Sequence, residues 1–563
     1  MFKSYLSISV LLTGLILIAT CSSLQAQCIP QLRKYAAIQQ NYSTLAANVN
    51  DATNAIDGNV ATASTLAVGI GALNLINATQ YLSFTSGANY VSANTPTTVK
   101  ISLPTSLLGV LDNVEIQPYE NLNYYTGALG TGIGARWRAD AVGTPFTGAA
   151  LVNLVNGVGE LELTITPNQK YQGIWIKIGS VLGLGVNAKI YHAYITENAP
   201  STTSCNNIID VLAGVEPALV GGVLDATASI NSQMDAADGD PSTYAELNAG
   251  VQLLGKIYLT TVFKTPAVAG DVIQVIVGDP GGGLLNLSLL SGFNIQLYDG
   301  STPVGDAINS SSLGLISLSL LPGATVGDNR RVITLRVPIG YGKFNLVQIK
   351  MGGVATVGLV PGLRVYEVSR IILPSPTIDG VESISKSICQ DNTATLSINE
   401  TQNCTTYKWY NVSSGGTALT TSSSYTPTAA SLALGNNIFY VEAIRANCTE
   451  TSERIPLTIT VKPKAQASDI SATNISVCLG YQATLTATSN NAAILSPSFK
   501  WYNNATLTGI PLSETSTLNV TPTITTSYWV TVSGTATCQN APNNAKQVTI
   551  TVTPHPPPAV AVN

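Results

Sequence analysis

The chain has 563 residues, of which 45% are hydrophobic and only 10% are charged, and its formal net charge is −5. The 26 basic residues are scattered, so the chain lacks the concentrated positive charge with which proteins bind a phosphate backbone, and we expect no nucleic-acid partner. A chain of this length divides into about three to five domains. Few charges combined with 48 glycines are typical of extracellular β-proteins.

The first 26 residues have the pattern of a signal peptide. Lys3 provides a positive start, residues 6–20 form an apolar run too short to span a bilayer, and a small and polar region follows. We predict cleavage after Ala26, with lipidation of Cys21 as the alternative. Either route exports the chain, so the predicted location is secreted or at a bacterial cell surface.

Beyond the signal peptide, the sequence predicts an all-β, multidomain protein. Segments such as TVKISL, ELELTITP, RVITLRV and QVTITVTP alternate apolar and polar side chains and end in turn residues. Residues 310–327 are uncharged but alternate Leu with Ser and contain Gly and Pro, which favours strand and turn. We therefore expect several β-sandwich or jelly-roll domains and no transmembrane segment in the mature chain.

Three sequence landmarks occur twice in the same order, which indicates two copies of one domain. Ala-x-Asp-Gly-(Asn/Asp)-x-x-Thr begins at Ala55 and again at Ala236, IQPYE is echoed by IQLYD, and YQGIWIKIGSV is matched by FNLVQIKMGGV. The predicted boundaries are 27–200 for copy one and 201–374 for copy two.

A second pair of repeats follows, at 375–463 and 464–554, and residues 555–563 form a Pro-rich tail that we interpret as a linker at a truncated end. Each repeat has a Cys, then Lys-Trp-Tyr-Asn around Trp409 or Trp501, then Tyr-x-Val and Thr-x-Thr-Val. This order resembles the bacterial Ig-like repeats in surface and secreted proteins of Bacteroidetes. The resemblance implies two small Ig-like β-sandwiches, each with a Trp in its core.

Seven cysteines remain after removal of the signal peptide, and an exported chain is expected to form disulfides. The repeated cysteine spacing predicts one bridge in each Ig-like repeat, and a third bridge would clasp the ends of copy one. The predicted pairs are Cys389 with Cys448, Cys478 with Cys538, and Cys28 with Cys205. Cys404 is left over, and we interpret it as a partly buried free thiol.

The repeated Asp-Gly motif resembles the loop of discoidin-like (coagulation-factor C-type) jelly rolls, which commonly wraps a structural calcium ion. Oxygen ligands on a tight Gly turn suit Ca²⁺. The alternative is a simple turn, in which the Asp caps backbone N–H groups and the Thr closes a local hydrogen bond. Copy one has His192 near the position that Glu367 holds in copy two. The implied calcium ligands are Asp57, Asn59 and Thr62 in copy one, and Asp238, Asp240, Thr243 and Glu367 in copy two.

One turn-rich region of copy one has the composition of a sugar-binding platform, in which aromatic rings stack on sugar faces beside hydrogen-bonding groups. The alternative is that these side chains pack onto the sandwich, with Arg stacked over the rings. Copy two has no Trp there. The candidate ligand-binding residues are Tyr124, Tyr125, Arg136, Trp137 and Arg138.

Only two histidines occur, and no GxSxG, HExxH or phosphate-loop motif stands in a suitable setting, so we expect no enzymatic activity. The predicted function is adhesion or carbohydrate binding by a non-catalytic protein with Ig-like spacers and a glycan or surface-protein ligand. The alternatives are a purely structural stalk or surface-layer component, and an accessory part of a larger carbohydrate-active enzyme. The oligomeric state is left unassigned.

Overall fold

The structure is a computed structural model, and it shows an all-β protein made of sandwich sheets. No described helix is long and apolar enough to cross a membrane. The signal peptide, Cys28 and the Pro-rich tail lie outside the described residues. The structure describes residues 29–70, 76–103, 113–126, 135–152, 158–180, 185–216, 229–248, 256–267, 270–279, 293–309, 316–320, 330–338, 340–352 and 363–554.

The chain forms two compact units. The N-terminal unit comprises Met1–Leu373 with two later segments, Gln402–Thr405 and Ile444–Ser452. The C-terminal unit comprises Pro374–Thr401, Thr406–Ala443 and Glu453–Asn563.

Copy one is a two-sheet sandwich. Its first sheet has the order β3-β4-β12-β6-β10 with β1 beside β12, and its second has the order β2-β5-β11-β7-β8 with β9 beside β7. Alternating apolar side chains, such as Ile101 on β6 and Ile176 on β11, meet in one core between the sheets. A 3-10 helix spans Ala52–Ile56 and helix α1 spans Ala149–Val152. The strands are β1 Gln31–Tyr35, β2 Ile38–Ser43, β3 Ala47–Asn50, β4 Ser64–Val68, β5 Asn77–Ser83, β6 Thr97–Leu103, β7 Val114–Tyr125, β8 Arg136–Ala141, β9 Phe146–Thr147, β10 Val158–Ile165, β11 Gly173–Gly179 and β12 Val186–Asn198.

Copy two repeats this arrangement. One sheet has the order β14-β15-β23-β17-β21-β20, strands β13, β16, β22, β18 and β19 form the other layer, and residues such as Val275 and Ile349 fill the core. A 3-10 helix spans Gln233–Ala236. The strands are β13 Ile208–Glu216, β14 Ser229–Asn231, β15 Ala245–Asn248, β16 Lys256–Ala267, β17 Val272–Gly278, β18 Phe293–Asp299, β19 Thr302–Asn309, β20 Ile316–Leu320, β21 Arg331–Arg336, β22 Phe344–Gly352 and β23 Leu363–Ile371.

The repeated landmarks occupy equivalent places in the two copies. The Asp-Gly motif follows a 3-10 helix in each copy, IQPYE lies on β7 where IQLYD lies on β18, and the third landmark forms β11 and β22. Strand β12 corresponds to β23, and each has a bulge against its neighbour, at Tyr191 and Tyr366. His192 and Glu367 come directly after these bulges, so they are equivalent residues.

The two copies share one sheet. Strand β10 of copy one pairs antiparallel with β13 of copy two, with Val158 opposite Val215 and Gly159 opposite Gly214, and an eleven-stranded sheet results. Gly159 has φ +112, and a Cβ on it would lie 2.7 Å from the Ala213 carbonyl oxygen. Glycine is therefore required at this seam because the two backbones approach so closely.

The C-terminal unit contains two small sandwiches with the tryptophans that the sequence predicted in their cores. Trp409 and Trp501 are fully buried, and their indole N–H groups donate to the carbonyls of Ser422 and Thr515. In each sandwich an early strand pairs parallel with the last one, β25 with β31 and β33 with β39. The 3-10 helices are Ala429–Ser431, Ala467–Asp469 and Pro542–Asn544. The strands are β24 Pro376–Ile378, β25 Ser385–Cys389, β26 Leu396–Ile398, β27 Thr405–Tyr410, β28 Thr420–Thr421, β29 Ser424–Tyr425, β30 Gly435–Arg445, β31 Ile455–Lys462, β32 Ile470–Ser471, β33 Ile475–Cys478, β34 Ala483–Thr486, β35 Thr488–Ser489, β36 Ser498–Tyr502, β37 Thr517–Val520, β38 Thr526–Ser533 and β39 Lys546–Thr553.

The predicted disulfides within each Ig-like repeat are wrong. Cys389 is bonded to Cys538, Cys205 is bonded to Cys448, and Cys404 is disulfide-bonded as well. Cys478, for which a bridge was predicted, has a free thiol. The predicted pairing of Cys205 with Cys28 is also wrong, since Cys448 takes its place.

A linker explains why these cysteines meet. Cys389 pairs in register with Lys462 at the end of β31, and two residues later Lys464 forms a bridge with Cys538. The linker therefore holds both sulfurs at one place. In the N-terminal unit Thr203 forms a parallel bridge with Cys448, and this brings Cys205, two residues further on, to the same position.

The bridge between Cys389 and Cys538 spans a sequence separation of 149 residues. In the chain-entropy model, closing a loop of that size contributes about 5 kcal/mol to the free energy of unfolding. We therefore predict that a Cys389→Ser/Cys538→Ser double variant unfolds at a clearly lower temperature in scanning calorimetry of the full chain. Cys478→Ser is the matched control and should leave the transition unchanged. Equal destabilisation by the control would contradict the pairing.

Candidate functional site

A cleft of about 320 Å³ lies beside the ribbon of β7 and β8 in copy one. In the ribbon Tyr124 pairs with Trp137 and Tyr125 pairs with Arg136. The cleft is lined by the Trp137 ring and by amide, hydroxyl and small apolar groups. Its lining residues are Ile38, Gln40, Ser83, Thr85, Ser86, Gly87, Asn121, Leu122, Asn123, Trp137 and Gln172.

Trp137 is held by two contacts, one to its ring and one to its backbone carbonyl. The Tyr124 ring packs against it edge-on with centroids 5.3 Å apart, and the Tyr81 hydroxyl donates to the Trp137 carbonyl at 3.5 Å. Tyr81 also packs on Tyr119 and Trp175 of the underlying sheet, with centroids 5.8 and 5.9 Å away. Burial raises the pKa of the Tyr81 hydroxyl, which therefore stays a neutral donor. The aromatic wall of the cleft thus rests on an aromatic layer.

The polar wall of the cleft is fixed by Gln172. Its amide nitrogen donates to the carbonyls of Gly87 and Asn89 at 2.6 and 3.3 Å, and its oxygen accepts the Asn121 N–H at 3.1 Å. Asn121 has φ +53, and its carbonyl accepts a bond from the Asn123 side chain at 3.0 Å. Because these groups are already bonded to one another, the wall is preorganised, and a ligand need not order it.

The structure brings only part of the predicted platform together. Trp137 lines the cleft with Tyr124 against it, whereas Tyr125, Arg136 and Arg138 lie elsewhere on the ribbon, outside the cleft lining. There the Arg136 guanidinium lies 5.7 Å from the Tyr42 ring and that of Arg138 lies 5.8 Å from the Tyr125 ring. This stacking of Arg on rings matches the packing alternative for these three residues.

Sequence reasoning missed the amide and hydroxyl residues of the cleft. Asn121 and Asn123 stand in the same YENLNYY stretch as the predicted tyrosines, so their alternation was a usable signal. Gln40, Ser83 and Gln172 come from three distant strands or turns, and only the fold brings them together.

The Asp-Gly loop of copy two brings three carboxylates into one neighbourhood. Asp238 accepts the Asp240 N–H at 2.9 Å and the Thr243 hydroxyl at 2.8 Å, and the Gly239 N–H donates to Glu367 at 3.0 Å. Burial raises the pKa of Glu367 to about 7, and the negative charges of Asp238 and Asp240 add to the shift. The loop therefore has an excess of negative charge that a cation would neutralise.

The loop of copy one has the same internal bonds but a different charge. Asp57 accepts the Asn59 N–H at 2.8 Å and the Thr62 hydroxyl at 2.7 Å. The Lys100 ammonium, however, donates a hydrogen bond to the Val60 carbonyl at 2.9 Å. An ammonium on the loop, with no second aspartate beside it, does not fit a calcium site.

His192, which stands where copy two has Glu367, is buried and its pKa lies well below the usual value, because of burial and the nearby charges of Arg33 and Lys100. A neutral imidazole between two cations adds no carboxylate to the copy-one loop. The two loops therefore differ in charge at three places, since Asn59 stands where copy two has Asp240, His192 stands where copy two has Glu367, and Lys100 donates to the copy-one loop.

The donor set of copy two fits calcium in chemistry, since Asp238, Asp240 and Glu367 supply hard oxygen ligands. Their carboxylate oxygens do not all lie within 4.8 Å of one another. Within the described residues, only Cys205, Cys448 and Glu450 have possible ligand atoms that close together. That cluster is no metal site, since its two sulfurs are joined in a disulfide. In both copies the hydrogen bonds described are those of a self-capped turn.

Comparisons with known proteins identify the C-terminal part of the chain. Residues 376–463 and 466–554 each match the family model "Ig-like domain CHU_C associated". Both C-terminal domains are Ig-like. These domains and the disulfides fit an extracellular protein. A search of curated proteins finds no match to the chain.

Solved structures with similar parts include fibronectin(III)-like modules of CbhA from Clostridium thermocellum, at 14% identity and a TM-score of 0.22, over 32% of this chain and 94% of that one. Sidekick-1 immunoglobulin domains 1–4 match at 11% identity and a TM-score of 0.17, over 63% and 97% of the two chains. The adhesin domain of Epf from Streptococcus pyogenes matches at 13% identity and a TM-score of 0.17, over 46% and 82%. TM-scores this low do not support any inference about the function of this chain.

The charge of the copy-two loop is expected to make the stabilisation by calcium depend on pH. The pKa of Glu367 is raised in the folded state, so this group stabilises the fold at low pH and loses that contribution as pH rises from the unfolded value of about 4.5 through about 7. We predict that Ca²⁺ raises the unfolding temperature of the N-terminal unit at pH 8 much more than at pH 5.

The matched variants for this test are Asp238→Asn in copy two and Asp57→Asn in copy one, followed by calorimetry with Ca²⁺ and with EDTA. The calcium effect should vanish in Asp238→Asn and persist in Asp57→Asn. An unchanged calcium effect on the unfolding temperature of Asp238→Asn would show that calcium binds elsewhere. No calcium effect on the unaltered chain would show that the loop is a simple turn without a metal.

Proposed function

We propose that the protein is an extracellular, non-catalytic adhesin in which the Trp137 cleft of copy one binds a neutral, hydroxyl-rich ligand such as a glycan, and the Ig-like domains act as spacers. The cleft carries this proposal. It joins one supported aromatic ring to a preorganised wall of amides and hydroxyls, which is the combination that sugar faces and sugar hydroxyl groups require.

The lining of the cleft favours a neutral ligand. None of the residues that line it is charged. A ligand with a carboxylate or phosphate would lose its hydration there without gaining an ionic partner. The described residues that line the cleft include no pair of carboxylic acids for glycosidic bond cleavage, which supports binding without hydrolysis.

The described part of copy two lacks the aromatic ring of the cleft at the equivalent strand, which supports a ligand site in copy one. Its strand β19 corresponds to β8 but reads TPVGDAIN, without an aromatic residue. The Tyr341 ring packs so closely on Gly305 of that strand that a Cβ there would overlap it. The ligand contact therefore belongs to copy one, while copy two contributes its seam with copy one and its acidic loop.

The test is a glycan-array screen with the full chain, in which the unaltered protein should bind a subset of neutral glycans. Trp137→Ala should weaken that binding about tenfold, because loss of one stacked ring costs roughly 1–1.5 kcal/mol. Tyr481→Ala is the control, since this tyrosine is 59% exposed in the second Ig-like domain and far from copy one in sequence.

Equal binding by Trp137→Ala and by the unaltered chain would place the ligand site outside the cleft. Absence of binding by the folded, unaltered chain would favour the structural stalk. Release of sugar from a bound glycan would contradict the non-catalytic assignment.

A further inference from the structure

Three ionisable side chains meet across the seam between the two copies. Lys100 lies on β6, Glu160 on the middle strand β10, and Asp210 on β13. The Lys100 Nζ atom lies 2.7 and 3.0 Å from the two carboxylate oxygens of Asp210 and 3.3 Å from Glu160 Oε2. The amine of Lys100 is therefore in contact with two carboxyl groups, and each of the three groups is supplied by a different strand of one sheet.

The cluster is shielded from water. The side chains of Lys100 and Asp210 are 1% and 2% exposed, and that of Glu160 is 18% exposed. The Tyr191 ring covers the ammonium, with its centroid 4.5 Å from Nζ. Shielding of this kind keeps bulk water away from the reacting groups, and bulk water would otherwise favour hydrolysis of the acyl intermediate.

Glu160 is oriented by two hydrogen bonds. The Tyr191 hydroxyl donates to Oε1 at 3.2 Å, and the Gln233 amide of copy two donates to Oε2 at 3.2 Å. Asp210 is held by the Val211 N–H, which donates to its Oδ1 at 2.8 Å. The reacting atoms thus have fixed positions, as proximity catalysis requires.

The seam buries more carboxylates than cations. The neighbouring Arg33 and Glu162 already form their own ion pair, with Nη1 and Oε1 2.6 Å apart. With Lys100, Glu160 and Asp210 the buried layer contains two cations and three carboxylates. Burial raises the pKa of Asp210 to about 6, even though Lys100 acts against that shift. Moving one proton from the ammonium to this carboxylate removes a buried charge pair, which lowers the cost of desolvation.

We propose that Lys100 and Asp210 become joined by an isopeptide bond, formed within the folded chain with Glu160 as the catalytic residue. The ammonium passes one proton to the Asp210 carboxylate, and the neutral Nζ attacks Cγ of the resulting acid. Glu160 takes a second proton from Nζ and returns it to the hydroxyl group on Cγ. The C–O bond breaks, water leaves, and an amide remains. The pair loses one water, and neither oxidant nor reductant takes part.

The bond would fasten copy one to copy two covalently. The described register between β10 and β13 contains only two residue pairs, so the seam itself is short. A covalent link between β6 and β13 crosses over β10 and prevents this short ladder from separating. It is independent of the glycan proposal, because it concerns the seam and no residue of the cleft.

The intact mass of the reduced full chain tests the proposal. We expect a mass lower than the sequence mass, after any signal cleavage, by one water. Dehydration of an Asp-Gly sequence, such as Asp57-Gly58 or Asp238-Gly239, gives the same mass change. A tryptic digest separates the two, because the isopeptide bond blocks cleavage after Lys100 and joins peptide 35–136 to peptide 190–256.

Glu160→Gln keeps the size of the side chain but removes the proton carrier, and we expect it to fold without the cross-link. Glu115→Gln is the control, since the partly exposed Glu115 bonds Trp175 and Lys177 on the other sheet of copy one, and it should keep the cross-link. An unaltered chain with the full sequence mass, or separate peptides 35–100 and 190–256 as the only products, would overturn the proposal. Cross-linked Glu160→Gln would overturn the role of Glu160.

Discussion

Strands β10 and β13 meet edge to edge at Gly159 and Gly214, and this contact determines what the N-terminal unit buries. Strand β13 and the strands that follow it in the same layer of copy two extend the first sheet of copy one. The two sandwiches therefore share a sheet and are not joined by a linker alone. On the outer face of that sheet Lys100, Glu162 and His192 are buried, and Lys100 is bonded across the seam to Asp210 of copy two.

Burial of these groups makes the seam sensitive to any change in charge. A buried ion pair gives little net stability, but removal of one partner leaves an uncompensated charge and costs roughly 3–5 kcal/mol. Lys100 with Asp210 is such a pair across the seam, and Arg33 with Glu162 is a second one within copy one. The seam therefore opens only at high cost, and the cleft of copy one and the acidic loop of copy two belong to one body.

The sequence predicted the all-β class, the repeats and the buried tryptophans, because alternation and landmark order depend on local pattern. It failed where a second domain changes the environment. Lys100 in TVKISL and Glu162 in ELELTI alternate like solvent-facing residues, and nothing in their own strands shows that Lys100 meets Asp210 of β13 or that Glu162 meets Arg33 of β1. The predicted disulfide pairs were wrong for the same reason. The linker between the Ig-like repeats brings Cys389 to Cys538, whereas the cysteine spacing indicated a partner within the same repeat. The aromatic composition of its segment identified Trp137 as a candidate ligand-binding residue, but only the fold shows that Gln172 lies beside it.

The central claim is that the two sandwich copies behave as one cooperative body because β10 and β13 are continuous. Native-state hydrogen exchange of the full chain tests this most directly, by comparing amides of Val158–Ile165 and Ile208–Glu216 with those in the cores of the two copies. The account predicts that amides on both sides of the seam exchange with the same free energy as the buried core strands. Exchange of the seam strands at a much lower free energy, with each copy still protected, would show two independent domains and contradict it.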